Sequence, residues 1–368
     1  MAGFPFMRQA EAFLSSLPFI LLLAVFILPC PMSAAAKPRP AIAFVHLLLP
    51  PGGEPHASPA GWIGSLDRAR DTLESLRIPT IVSSASPGNA EDLNELSEMD
   101  PEVLITTSPL LYAAACDVAK RSPNTVFFAC TDETVHDNMS GFQARTYEAH
   151  YLAGLIAGAL SEDGVIGYLA NDPYQSKASR LRNANAFTLG AQKSKAAIRV
   201  LYAPGNDPDE ELKTLIAAGA DIVDLERALP SLVERLREHS VRYVGTAGRT
   251  VDPLCLAAPE WEWSNAFGDL LTQVRFGIWR PRNVSYGIKE GVVGLSPFGP
   301  AVPETVRVRV REAKEAIRNG ASPFEGPVRD VSGSLRISEG SVPDDATLRG
   351  MDWRVQGLEP LPLTPDGR

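Results

Sequence analysis

Gly287-Ile-Lys-Glu-Gly-Val-Val-Gly-Leu-Ser-Pro-Phe-Gly-Pro-Ala-Val-Pro303 is the stretch from which the rest of the chain can be read. The residues from 284 to 293 are mostly apolar or β-branched and predict a strand. Pro297, Pro300 and Pro303 then fix three φ angles in quick succession and stiffen the turn that follows. Residues 304–319 continue with helical spacing, and Gly320 stands where a helix C-cap favours positive φ. A strand, a rigid turn and a capped helix in that order belong to an α/β chain.

Outward from this stretch the alternation repeats. Residues 41–49 are one apolar run, as expected of a strand covered on both faces. Over 61–76, Trp62, Leu66, Ala69 and Leu73 share one side of a helix. Strands at 80–84, 103–107 and 125–130 alternate with helices at 90–99 and 111–120, which predicts a doubly wound parallel sheet. After 132–142 the rhythm restarts. Strands at 165–170, 198–202, 221–225 and 241–245 alternate with helices at 148–160, 179–193, 209–218 and 229–238. Two such units of similar size imply two lobes. Another helix spans 264–280, capped by Ser264. Gly154 and Gly158 form a GxxxG in a segment too short for a membrane span, and predict close packing on the sheet. The 321–368 tail, rich in Gly, Pro and Ser, reads as strand-poor wrapping.

The 368 residues suffice for two α/β domains, and 45% hydrophobic with 21% charged residues describes an ordinary globular chain. The net charge of −9, with no clustered basic face, excludes a nucleic-acid surface. Arg8, the apolar run 19–28 and Ser33-Ala34-Ala35-Ala36 have the order of a secretory signal peptide ending at residue 36. Beyond it lie Cys116, Cys130 and Cys255, an odd number, so at least one is not paired within the chain. Their patterns suit small buried residues. His46, His56, His136, His150 and His239 are scattered without metal spacing. No G-x-S-x-G, P-loop or G-x-G-x-x-G after the first strand is present, so no enzyme activity, metal or cofactor is expected.

The 287–303 stretch resembles the late segment of the basic membrane protein family, the solute-binding proteins of ABC importers. Similar matches fall in order at 146–154 (Thr-Tyr-Glu-Ala-His-Tyr-Leu-Ala-Gly), 185–191 (Asn-Ala-Phe-Thr-Leu-Gly-Ala), Trp261-Glu262-Trp263, 323–327 (Pro-Phe-Glu-Gly-Pro) and Met351-Asp352-Trp353. The resemblance implies the type I periplasmic binding protein fold: two doubly wound parallel-sheet lobes joined by a three-strand hinge. The expected division is 41–145 plus 250–285 for lobe 1, 146–249 plus 286–330 for lobe 2, and 331–368 for the tail. Hinges are expected at 141–146, 247–253 and 286–291. Family members are often lipoproteins; here Pro29 directly before Cys30 spoils that pattern, so a free periplasmic monomer is expected.

The resemblance also implies a site. Trp62 lines the cleft in relatives that carry Gly-Trp there, where an indole either stacks on a flat heterocycle or packs its helix on the sheet. Arg182, Asn185 and Phe187 fall where relatives contact the ligand, and an amide with a guanidinium suits a purine or pyrimidine edge; on an ordinary helix they would be surface groups. Trp263 is a stacking partner or a hinge filler, and Lys289 faces the ligand or is an exposed strand lysine. Tyr112, Asp132 and Asn171 lie near strand ends, where open sheets place ligands. One departure stands out. Nucleoside-binding relatives have Gly-x-Asp-Ser-Asp after the strand ending at Gly245, and an aspartate there holds ribose; this chain has Gly245-Thr246-Ala247-Gly248-Arg249. The expected solute is therefore a small planar molecule, a purine base or nucleoside-like compound, captured by lobe closure and presented to an ABC permease. The alternative is a sensor that reports occupancy to a membrane receptor.

Overall fold

β1 (Ile42–Leu47) is buried along its whole length because helices cover the sheet on both sides. Ile42 and Phe44 face one apolar layer, while Ala43, Val45 and Leu47 face another. The computed structural model describes residues 39–48, 61–131, 133, 136–172, 175–245 and 252–362. Expectations at Asp132, Ala247 and Arg249 lie outside the described residues.

The first βα unit continues as α1 (Trp62–Ser75), β2 (Thr80–Ala85), α2 (Glu91–Ser97), β3 (Val103–Thr106), α3 (Tyr112–Ala119), β4 (Val126–Cys130) and β5 (Met139–Ala144). β5 was not expected. Ser140, Gly141 and Gln143 mask its periodicity, yet it pairs in parallel with β4 from Phe127↔Met139 to Cys130↔Phe142. The second unit runs α4 (Thr146–Leu160), β6 (Val165–Leu169), α5 (Lys177–Ser194), β7 (Arg199–Ala203), α6 (Pro208–Ala217), β8 (Ile222–Leu225), α7 (Pro230–Glu238), β9 (Arg242–Gly245) and β10 (Cys255–Ala257). There follow β11 (Pro259–Trp261), α8 (Ser264–Arg275), β12 (Asn283–Tyr286), β13 (Val293–Leu295), α9 (Glu304–Arg318), β14 (Val328–Arg329), β15 (Leu335–Ile337), α10 (Asp345–Arg349) and β16 (Leu358–Pro360).

Among the described residues two parallel sheets form, ordered β2-β1-β3-β4-β5-β12 and β16-β7-β6-β8-β9-β10. This is the doubly wound pair that the alternation predicts. Each sheet has a helix layer on either side. In the first, Leu93, Leu96, Leu111 and Ala115 cover one face. On the other, Phe44, Phe128, Phe142 and Phe267 pack ring against ring at 4.6–6.3 Å. Each fully buried phenyl contributes about 2–3 kcal/mol. In the second sheet, Leu212, Leu215, Leu232 and Leu236 cover one face, and α4 with α5 cover the other.

Three expectations need correction. The strand expected over 284–293 is two strands. β12 pairs with β5 only as far as Tyr286↔Ala144, where β5 ends and no partner backbone remains. The chain turns at 287–291 and resumes as β13, antiparallel to β11. Second, the expected boundary at 250 comes too early, because β10 still pairs with β9 in the second sheet; the crossing follows Ala257. Third, the tail is not only wrapping, since β16 adds an edge strand beside β7 from Leu358↔Val200 to Pro360↔Tyr202. The three crossings are bonded together: Arg145 N–H donates to the Tyr286 carbonyl at 2.7 Å, and Glu262 N–H to the Val292 carbonyl at 2.8 Å.

Candidate functional site

Open parallel sheets present their ligands at the carboxyl ends of the strands. At that edge of the first sheet, Trp62 opens α1 and is half-buried. Its Nε1–H donates to the Thr107 carbonyl at 2.8 Å, just past the end of β3. Thr107 Oγ1 donates to the Val45 carbonyl at 3.1 Å and lies 3.2 Å from His46 Nδ1, while His46 Nε2 is 3.1 Å from Asp67 Oδ1. The order aspartate, histidine, hydroxyl has the connectivity of a nucleophilic triad. Yet Thr107 is buried and its proton is directed to Val45, so no nucleophile is presented. The chain of bonds holds the indole at the sheet edge instead.

Behind Trp62 lies an aromatic wall. Trp261 and Trp263 meet it edge-on at 5.9 and 5.2 Å. Trp263 is fully buried, stacked on Phe267 at 5.5 Å and edge-on to Phe142 and Tyr286. Trp263 thus packs among the aromatic rings beside the crossings. Lys289 is exposed in the 287–291 turn, whose first two residues, Gly287 and Ile288, are buried.

The three residues expected on α5 are occupied elsewhere. Asn185 is fully buried. Its Nδ2 donates to the Trp353 carbonyl at 2.8 Å and its Oδ1 accepts from Val355 N–H at 2.9 Å. Arg182 donates to the Leu348 carbonyl at 3.1 Å and lies over the Tyr147 ring at 5.8 Å. Phe187 is sealed in the core, 5.5 Å from Tyr168. Residues 182 and 185 share a helix face, and the returning C-terminal segment covers that face. Asn185 and Phe187 thus make internal contacts in this structure.

At the carboxyl edge of the second sheet, sequence reading missed a charged group. Glu226 follows β8 and accepts from the Tyr168 hydroxyl at 2.9 Å and from Asp172 N–H at 3.3 Å. Burial, reinforced by the nearby Asp172 carboxylate, pushes its carboxyl up to about 8. His150, in the second turn of α4, lies 3.2 Å from Asp224 Oδ2. Burial opposes its charging, but Asp224, Glu226 and Asp172 outweigh that and raise its pKa. Asn171, at the end of β6, exchanges two 2.9 Å bonds with the Arg227 backbone and so ties the loops after β6 and β8 together. Acidic residues at strand ends were the available signal, but only the sheet order brings them together. No group of three His, Cys, Asp or Glu placed to hold a metal occurs among the described residues.

The family model of PnrA-like ABC transporter substrate-binding proteins matches residues 66–217, a span that includes strands of both sheets. Over that span the chain is similar to the PnrA-like substrate-binding proteins. A purine-binding protein of Brucella abortus is 28% identical over 344 residues, covering 89% of this chain and 95% of that protein. A putative ABC transporter glucose-binding protein of Haloferax volcanii is 28% identical over 307 residues, covering 77% and 78%. Among solved structures, an ABC transporter solute-binding protein from Conexibacter woesei aligns with a TM-score of 0.60 at 17% identity, covering 76% of this chain and 97% of that one. That likeness supports the type I fold. PnrA-like proteins take a small-molecule ligand and a permease partner and work on the outer side of the cytoplasmic membrane. No described helix is long and apolar enough to cross a membrane.

Proposed function

We propose that this chain is a periplasmic monomer, exported by its first 36 residues, that captures a small planar solute and delivers it to an ABC permease. Each sheet with its helices forms one lobe, and the solute, a purine base or nucleoside-like compound, lies between their carboxyl edges. The observation that carries this reading is Trp62: a half-buried indole fixed at the edge of the first sheet by its bond to Thr107. A flat heterocycle gains most from such a platform, and the purine-binding relative adds support. Closure follows from differential affinity, because a solute touching both lobes stabilises the form in which both contacts exist.

The Haloferax relative favours a second reading, a sugar, because an indole also covers the apolar face of a pyranose. Thermal-shift titration of the chain from Lys37 separates the two. The panel holds adenine, guanine, hypoxanthine, xanthine, inosine and glucose, with native mass spectrometry of the protein as purified. A purine that binds raises the melting temperature by mass action. Trp62→Ala removes that shift, while Trp62→Phe keeps part of it. A shift with glucose alone replaces the purine reading by the sugar reading, and a purine shift unchanged in Trp62→Ala removes Trp62 from the site.

A further inference from the structure

The 287–291 turn, which carries Lys289, is held from two sides by carboxylates. From within the turn, Glu290 Oε2 accepts Gly287 N–H at 2.7 Å. From α4, Glu148 Oε2 accepts Ile288 N–H at 2.6 Å. The turn closes on itself through Gly291 N–H to the Ile288 carbonyl and Val292 N–H to the Gly287 carbonyl, both at 3.1 Å. The fit around Glu148 is close: a Cβ at Gly287 would lie 2.5 Å from Glu148 Oε2. Arg145, immediately before α4, pairs with Glu290 at 3.4 Å and with Asp345 at 2.8 Å. Glu148 is itself buried. Its bond therefore joins the helix entered by the first crossing to the turn made by the third.

We propose that Glu148 is a positioning residue for solute capture: its bond to Ile288 fixes the 287–291 turn, and with it the Lys289 ammonium and the angle of the third crossing. The proposal rests on the solute-binding reading but not on the class of solute. Burial pushes the Glu148 carboxyl up to about 7, against the Ile288 amide and Arg145, which favour its charge; Glu290 and Asp345 raise it further, and Tyr147 is the other titratable group beside it. While Glu148 stays buried, its carboxylate is the stronger acceptor for a backbone amide, so its bond to the turn tightens as pH rises through 7, even though burying that charge costs the whole fold stability.

The test compares the wild type with Glu148→Gln and Glu148→Ala. One arm needs no solute: hydrogen–deuterium exchange of the peptide covering 287–292 at pH 6 and pH 8, corrected for intrinsic rates. The other measures hypoxanthine binding by calorimetry at the same two pH values. Wild-type protection and affinity are expected to rise from pH 6 to pH 8. Glu148→Gln, which can still accept from Ile288, is expected to be independent of pH and close to the wild type at pH 6. Glu148→Ala is expected to lose protection at both pH values and about tenfold in affinity, as loss of a hydrogen bond to a charged group implies. The proposal is overturned if Glu148→Ala exchanges like the wild type over 287–292, or if Glu148→Gln keeps the wild-type pH dependence. If hypoxanthine binds none of the three, hypoxanthine is struck as the solute and the exchange arm alone decides on Glu148.

Discussion

Three buried groups make this protein's stability fall as pH rises. Glu226 and Glu148 are carboxyls whose folded-state pKa values are pushed up to about 8 and about 7 by burial. From about pH 4.5, where they ionise in the unfolded chain, up to those values, the folded state holds protons that the unfolded state has released. Stability is therefore lost as pH climbs through that window, on the order of 5 kcal/mol for Glu226 over its full width. The sign for His150 agrees. Its folded pKa is raised, so its contribution is present below the unfolded value and disappears as pH rises through the folded one. The opposing groups act at lower pH. Asp345 is desolvated, yet Arg145 keeps its carboxyl below the usual range, so its contribution is lost only on strong acidification. The stability maximum is thus expected at about pH 5. Guanidinium midpoints from pH 4 to pH 9 should fall steadily above that value, and Glu226→Gln should flatten the slope between pH 5 and pH 8. An unchanged slope in that variant would remove Glu226 as its source. None of this was legible in the sequence, where Asp172, Asp224 and Glu226 are ordinary acids near strand ends. The order of β6 and β8 in the sheet brings them together.

At the scale of elements, the GxxxG of α4 was legible as close packing but its partner was not. The sequence reading placed the glycines against the sheet. They meet α5 instead: a Cβ on Gly154 would collide with the Phe187 carbonyl, one on Gly158 with the Ala191 carbonyl, and one on Gly190 with the Tyr151 carbonyl. A small-residue stripe tells how near something comes, and not what comes near. This makes a paired prediction, because Gly268 in α8 has nothing within 4 Å of its would-be Cβ. Gly268→Ala should gain about 0.5–1 kcal/mol through the ordinary helix preference for alanine. Gly158→Ala should lose about 2 kcal/mol or more, since rigid backbone must move. Chemical denaturation of the two variants checks the contrast, and equal effects would mean that α4 and α5 are not in backbone contact there.

At the scale of the molecule, the βα alternation was legible because β1, β3 and β4 are buried apolar runs and α1, α6 and α7 each have one apolar side. The return of the C-terminal segment was not, because its partners are more than 160 residues away and no local pattern links them. Arg182 and Asn185 were placed at the ligand by resemblance, and in the folded chain both bond to this returning segment. β16 adds the last strand to the second sheet, Leu348 and residues 353–355 cover α5, and Asp345 reaches back to Arg145 beside the first crossing. Asn185→Ala separates the two roles. It orphans the buried Val355 N–H and the part-buried Trp353 carbonyl, which costs about 1–3 kcal/mol for the buried group and less for the other. The melting temperature without solute should therefore fall by several degrees, and exchange over 348–360 should quicken. Affinity for whichever panel member binds should change less than about threefold. An Asn185→Ala protein that melts like the wild type but binds solute tenfold more weakly would return Asn185 to the cleft.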